Sequence, residues 1–193
     1  MRFRYKFLSG ALIALISYNA LAAEMNAGKI HFTGEIIEPS CVIDGTDGTD
    51  STVPLGTFPT SLFNDAGVGK ESTLVPVDIT LKDCPLKSDG LAAIQLTFNG
   101  TTTATASSTL LDVSKITTDG TIAATGVGIA MSPIGDSTTF IKFDGSDSQV
   151  YVQLPTTAGD TITASFNARY KSFTSTVTPG PADADLTVNI LYR

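Results

Sequence analysis

The sequence has 193 residues and carries 12 Lys and Arg against 19 Asp and Glu, which gives a formal net charge of −7. An acidic chain of this kind disfavours binding to nucleic acid and to anionic membrane surfaces. With 42% hydrophobic residues it is long enough to bury a core as one domain.

Residues 1–22 are predicted to be a cleavable export signal. Three basic residues precede a short apolar core over residues 7–16, and Ala20-Leu-Ala22 is a small-x-small cleavage site. Cleavage is expected after Ala22, or alternatively after Ala23. The apolar core is too short to span about 30 Å of hydrocarbon, which disfavours an uncleaved membrane anchor. Removal of three basic and no acidic residues leaves 9 positive against 19 negative side chains.

The rest of the chain alternates apolar and polar residues in short segments, a pattern that predicts β-strands. These segments cover residues 30–36, 75–81, 94–98, 127–131, 150–154, 162–170 and 186–192. Pro76 indicates an edge or irregular strand, since it cannot donate to a ladder. Turn-forming pairs such as Asn99-Gly100 and Asp144-Gly145 lie between segments, and residues 60–65 form the best helical turn, with a Ser or Thr cap. The pattern predicts an all-β antiparallel sandwich.

Two cysteines, Cys41 and Cys84, are predicted to form a disulfide because the chain is exported. The bridge would close a loop of about 44 residues, worth about 4 kcal/mol in the chain-entropy model. Neither cysteine belongs to a C-x-x-C pair, which disfavours redox catalysis and zinc binding.

The sequence offers no candidate catalytic or cofactor site. Its single histidine, His31, lies in an N-terminal segment that is a poor anchor for a catalytic triad. Asp44, Asp47 and Asp50 could cradle Ca²⁺, but their spacing of three does not match an EF-hand loop, so a solvated acidic loop is favoured. With no Trp and five Tyr, a lectin site is weakly supported. We therefore expect no enzyme activity, metal, cofactor or small-molecule substrate.

Alternating segments at both extremes of the mature chain indicate a role in assembly. Residues 28–32 follow the predicted signal, and residues 186–192 are followed by a single residue. Both segments have the pattern of a half-buried strand that requires a partner. The arrangement suggests a protein that polymerises by lending and accepting strands.

From about Ala27 to Arg193 the sequence resembles the pilin subunits of chaperone–usher fimbriae, most closely the main structural subunit of type 1-like fimbriae. The resemblance rests on the order and spacing of Gly28-Lys-Ile-His-Phe-Thr-Gly34, Pro39-Ser-Cys41, Leu81-Lys-Asp-Cys84, Phe166-Asn-Ala-Arg-Tyr170 and Thr178-Pro-Gly-Pro-Ala-Asp-Ala-Asp185. It implies an incomplete immunoglobulin-like sandwich that lacks its final strand and exposes a groove beside the C-terminal strand. A periplasmic chaperone would fill this groove first, and the next subunit's N-terminal extension would then replace it at the outer-membrane usher.

The resemblance also implies roles for particular residues. The donor strand would span residues 23–32, before a pilin domain over residues 33–193. Its inserted face would carry Asn26, Gly28, Ile30 and Phe32. Gly28 would occupy a shallow part of the groove. Phe32 would either insert or pack in its own domain.

On the acceptor side, the resemblance assigns the C-terminal strand to one wall of the groove and to the main chaperone contact. This strand carries Leu186, Val188, Ile190 and Tyr192, and Arg193 holds the carboxylate that the chaperone's basic residues would bind. The Cys41–Cys84 disulfide would tie the first strand to a neighbour in the same domain.

The implied function is a structural subunit of a surface fimbrium that supports adhesion after export through the periplasm, with identical or related pilins as partners. An adhesin of this family would carry an extra N-terminal receptor domain and lack the donor extension, so the tip role is less favoured. A minor adaptor subunit is the remaining alternative, because its sequence would look the same at this level.

Overall fold

A computed structural model describes residues 28–34, 36, 38, 41–45, 50–65, 67–88, 90–116, 118–120 and 122–192. The chain divides into two units, Met1–Ile36 and Ile37–Arg193. The predicted export signal, Asn26, Asp47 and Arg193 lie outside the described residues. No helix in the described part of the chain is long and apolar enough to cross a membrane.

In its described residues the second unit is built from short strands and one helical turn. In chain order the elements are β1 (Val42–Ile43), α1 (Ser61–Asn64), β2 (Val75–Lys82), β3 (Ala93–Gly100), β4 (Leu111–Asp112), β5 (Val127–Pro133), β6 (Val150–Gln153), β7 (Ile162–Ser172) and β8 (Leu186–Tyr192).

The strands form two sheets, and within each sheet every pair of neighbouring strands is antiparallel. The larger sheet has the order β1-β2-β7-β5-β4, and the smaller sheet has the order β6-β3-β8. One apolar core takes buried side chains from both sheets, including Leu81 and Phe166 from the larger sheet and Leu96 and Phe98 from the smaller. The Phe98 and Phe166 rings meet edge to face, 5.6 Å apart. The chain is therefore a β-sandwich, as predicted.

Six of the predicted strands are confirmed, with ends that differ by a few residues. The prediction of a turn at Asn99-Gly100 is wrong, because both residues continue β3 and Gly100 pairs with Leu186 of β8. The two-residue strands β1 and β4 were not predicted, since two residues are too few to show a period. The helical turn α1 is confirmed, but the side-chain cap is wrong, because the Thr60 side chain makes no capping hydrogen bond. Phe63 of this turn is instead held by a small apolar cluster with Val127 and Val177.

The strand predicted over residues 30–36 is absent from the described residues of the first unit. Residues 28–34 have no regular secondary structure. A strand requires ladder hydrogen bonds to a neighbour, and alternation alone does not supply that neighbour. The side chains of Ile30 and Phe32 are 82% and 92% exposed.

Pro76 lies where β2 is locally an edge strand. β7 pairs with β2 from Val75 to Leu81, whereas β1 lies opposite only Leu81 and Lys82 on the other side. Because Pro76 precedes the β1 pairing, its missing N–H removes no ladder bond on that side. β2 as a whole lies between β1 and β7, so the prediction of an edge or irregular strand holds only for its first part, among the described residues.

The Cys41–Cys84 disulfide is present and joins the ends of two neighbouring strands. Cys41 precedes β1 and Cys84 follows β2, and the antiparallel pairing of β1 with β2 brings these ends together. An ion pair between Lys82 Nζ and Asp44 Oδ1, 2.7 Å apart, also joins the end of β2 to the residue after β1. The hydrogen bond to Asp44 is the main reason that the pKa of Lys82 is raised. Both side chains are solvent-accessible, so this pair adds little stability.

We expect the variant Cys41→Ser/Cys84→Ser to lose about 4 kcal/mol of unfolding free energy, because the bridge closes a loop with a sequence separation of 43 residues. Denaturant titration of the two proteins would measure the loss. Thiol labelling of the exported native protein provides the control, and two reactive thiols there would contradict the assignment.

Candidate strand-acceptor site

The C-terminal strand β8 lies at the edge of the smaller sheet. It pairs with β3 along its whole length, from Leu186 opposite Gly100 to Tyr192 opposite Ile94. Among the described residues no other strand pairs with β8. One row of its backbone N–H and C=O groups therefore faces outward, which is the chemical requirement for adding another strand.

The core-facing side chains of β8 are only partly covered. Leu186, Val188, Ile190 and Tyr192 are half-buried and pack on the core, whereas Ile94, Leu96 and Phe98 of β3 are completely buried on the same face. A central strand is covered by neighbours on both sides, and an edge strand is covered on one. The apolar face of β8 thus remains partly open to water along its outer edge, as expected for the wall of a groove.

The edge of the larger sheet meets β8 at one end. The backbone N–H of Cys41, which precedes β1, donates to the hydroxyl of Tyr192 over 2.9 Å. β1 itself is two residues long, and its Ile43 is another half-buried side chain on the core. Since β1 is much shorter than the seven-residue β8, the two sheet edges are joined beside Tyr192 and β1 does not extend along the rest of β8.

The segment that leads into β8 is held firmly in place. The Asp183 carboxylate accepts hydrogen bonds from the backbone N–H groups of Ile116 and Thr118, at 3.1 and 2.7 Å, and from the Thr118 hydroxyl. The Tyr170 hydroxyl donates to the Ala182 carbonyl. Burial, followed by the nearby charge of Asp183, raises the pKa of Tyr170. These bonds fix where β8 begins, so its open edge is presented in a defined register.

We expect Tyr192→Phe to lower the unfolding free energy by about 1 kcal/mol, because the Cys41 N–H loses its acceptor while the aromatic ring is kept. Thermal unfolding would measure the change. Tyr151→Phe is the matched control, since Tyr151 is 60% exposed on β6. Equal melting temperatures for the two variants would show that the Tyr192 bond does not stabilise the edge.

The predicted donor residues that the structure describes are all exposed in the first unit. Gly28 has a φ of +140°, a backbone conformation that favours glycine, and apart from its chain neighbours no heavy atom would lie within 4 Å of a Cβ at this position. Ile30 and Phe32 present large apolar side chains to solvent. His31, excluded above as a catalytic anchor, lies between them in this irregular segment.

The described residues of this site provide an open backbone edge and a half-buried apolar face. Among the described residues no group of three or more His, Cys, Asp or Glu side chains is placed to hold a metal ion. The predicted acceptor residues Leu186, Val188, Ile190 and Tyr192 lie on one face of one edge strand. The hydrogen bond between Tyr192 and Cys41 was missed by the sequence analysis, because no pattern relates residues 151 positions apart.

The family model described as fimbrial protein matches residues 30–193. The chain is 33% identical over 192 residues to an uncharacterised fimbrial-like protein, SfmA, of Escherichia coli K12, covering 98% of this chain and 99% of that protein. It is 35% identical over 187 residues to the type-1 fimbrial protein subunit of Serratia marcescens, with 96% of each chain covered.

Among solved structures, the crystal structure of the P pilus rod subunit PapA resembles this chain with a TM-score of 0.60 and 22% sequence identity. The match covers 79% of this chain and 99% of PapA. At this level of identity the likeness is one of fold, and it agrees with an incomplete immunoglobulin-like sandwich.

Proposed function

This chain belongs to the fimbrial protein family, and we propose on that premise that it polymerises head to tail, as a structural subunit of a cell-surface fimbrium, by donor-strand exchange. The observation that carries the proposal is the open edge of β8 with its half-buried apolar face. A partner strand at this edge would satisfy backbone groups and cover apolar side chains in one step.

The acceptor would be the groove beside β8. Val188 and Ile190 already pack on the core from this strand, so an inserted strand would complete a surface that is half formed. Leaving such an edge open exposes it to uncontrolled pairing with other chains. Insertion of the next subunit's strand is heterologous and does not close on itself, so it generates a filament.

The donor would be residues 23–32 of the next subunit, with Asn26, Gly28, Ile30 and Phe32 on the inserted face. The high exposure of Ile30 and Phe32 supports this assignment, because large apolar side chains gain most when a partner covers them. The irregular backbone of residues 28–34 supports it as well, since this segment forms no strand within its own unit.

Before assembly a periplasmic chaperone would occupy the groove, and an outer-membrane usher would catalyse the exchange. The chaperone would contact mainly the β8 strand and bind the carboxylate of Arg193. This route takes the subunit through the periplasm to an extracellular fimbrium, and it agrees with the predicted export signal. We likewise propose that the protein acts as a structural subunit and not as an enzyme.

The full-length match to fimbrial subunits favours a structural subunit over a tip adhesin with an extra receptor domain. The choice between the shaft and a minor adaptor is decided by electron microscopy of cells that express the complete fimbrial operon with and without this chain. We expect loss of the whole fibre, which identifies a shaft subunit. Shortened or non-adherent fibres would identify an adaptor, and unchanged fibres would overturn the proposal.

A further inference from the structure

A second open groove lies at the other edge of the smaller sheet, along β6. It has a volume of about 430 Å³ and runs between β6 and the first half of β7. Its apolar wall includes Val150 and Val152 of β6, together with Ala164 and Phe166 of β7. Among the described residues β6 pairs only with β3, so the backbone edge on the groove side is open as well.

The groove and the smaller sheet are free of charge. No lining residue of the groove is acidic or basic. The strands β3, β6 and β8 likewise contain no Asp, Glu, Lys or Arg, whereas β2 and β7 of the larger sheet contain Asp78, Lys82, Arg169 and Lys171. The net charge of −7 is therefore carried by other parts of the chain.

Two large exposed side chains adjoin the groove. Tyr151 of β6 lines it and is 60% exposed. Ile134 follows the lining residue Pro133, donates its N–H to the carbonyl of Ser165, and is 62% exposed. Interface centres are enriched in tyrosine and depleted of charge, which is the composition found here.

From these observations we propose that the β6 groove, with Tyr151 and Ile134 beside it, is a contact surface for a second copy of this chain that is not joined to the first by a donor strand. Two copies carry the same negative charge and repel wherever their acidic surfaces meet. A neutral apolar face is where such copies approach at the lowest electrostatic cost. The proposal rests on polymerisation as the proposed function, because a filament holds many copies at high local concentration.

The test uses fibres assembled by cells from the full chain. The photo-crosslinking residue p-benzoylphenylalanine replaces Tyr151 or Ile134, and Val68 is replaced in the control, since it has the same 62% exposure as Ile134. After irradiation, samples are boiled in detergent to separate strand-linked subunits. We expect a covalent dimer from positions 151 and 134 and about tenfold less from position 68.

Mass spectrometry of the dimer then identifies the partner segment. An adduct with residues 37–193 of another copy supports the proposal. An adduct with residues 23–36, which include the proposed donor strand over residues 23–32, would overturn it by placing the donor-joined neighbour at this groove. Adducts only with a different protein, or no adduct, would overturn it as well.

A charge substitution separates this inference from the proposed function. Gln153→Glu adds a negative charge to the groove with little change of shape, and Thr157→Glu adds one at an exposed position that does not line the groove. With Gln153→Glu we expect the dimer yield to fall about tenfold and the ladder of strand-linked multimers in unboiled samples to persist. An unchanged yield would overturn the groove assignment, whereas loss of the ladder in the unsubstituted chain would overturn strand exchange itself.

Discussion

Ile30→Asp should abolish the ladder of subunit multimers that strand-linked fimbrial polymers give on gels without boiling. Ile30 is 82% exposed in the free chain, so a polar replacement there removes no packing within the subunit. In the proposed polymer the same side chain enters the apolar groove beside Val188 and Ile190. An unpaired carboxylate in that environment costs several kcal/mol. Insertion of the donor strand should therefore fail while the subunit itself folds normally.

Two further substitutions in the same segment test which face of the donor strand enters the groove. Gly28→Leu should also weaken the ladder, because a large side chain in a shallow part of the groove costs about 1–3 kcal/mol by overpacking. Lys29→Ala is the matched control on the opposite face and should leave the ladder intact. Normal ladders from Gly28→Leu and Ile30→Asp together would show that residues 23–32 are not the polymer bond.

The sandwich itself could be predicted because period-two alternation records which strands have one buried face. β2, β7 and β8 largely follow this rule, and their positions were found to within a few residues. Alternation does not show, however, which strands pair with each other. The segment over residues 30–36 alternates as clearly as β8 does, yet its described residues form no strand, because a strand also needs a hydrogen-bonded neighbour, which alternation does not supply.

The burial of Arg169 on the outer face of the larger sheet could not be predicted from the sequence either. Arg169 follows the core residue Ala168 in β7, so alternation assigns it to solvent, yet only 1% of its side chain is exposed. Its Nε lies 3.0 Å from Glu71 Oε2, and its guanidinium lies over the Phe140 ring. These partners come from loops distant in the chain, and no local pattern identifies them.

The acceptor site could be predicted only in part, because alternation does not show where a strand lies in its sheet. Val188 and Ile190 were identifiable as one apolar face of a terminal strand. That β8 lies at a sheet edge is a matter of topology, because it depends on β3 being its single neighbour among the described strands. The Tyr192–Cys41 hydrogen bond depends in turn on where the disulfide holds the start of β1.

A subunit that carries its own donor should be far more stable than the natural chain. We expect fusion of a second copy of residues 23–32 after Arg193, through a flexible linker, to raise the melting temperature strongly. The added strand would pair with the open edge of β8 and cover its half-buried side chains, and the linker would make the encounter intramolecular. A net gain of about 5 kcal/mol corresponds to roughly 10–20 °C for a domain of this size.

The matched control is the same fusion with Ile30→Asp in the added copy only. It keeps the length and linker of the fusion but places a carboxylate in the groove, so most of the rise should disappear. Size-exclusion chromatography should show the intact fusion as a monomer and the natural chain as aggregates or self-inserted oligomers, because only the fusion covers its own edge. A melting temperature that the fusion leaves unchanged would mean that β8 is already covered, and that the chain is an ordinary closed sandwich rather than an acceptor.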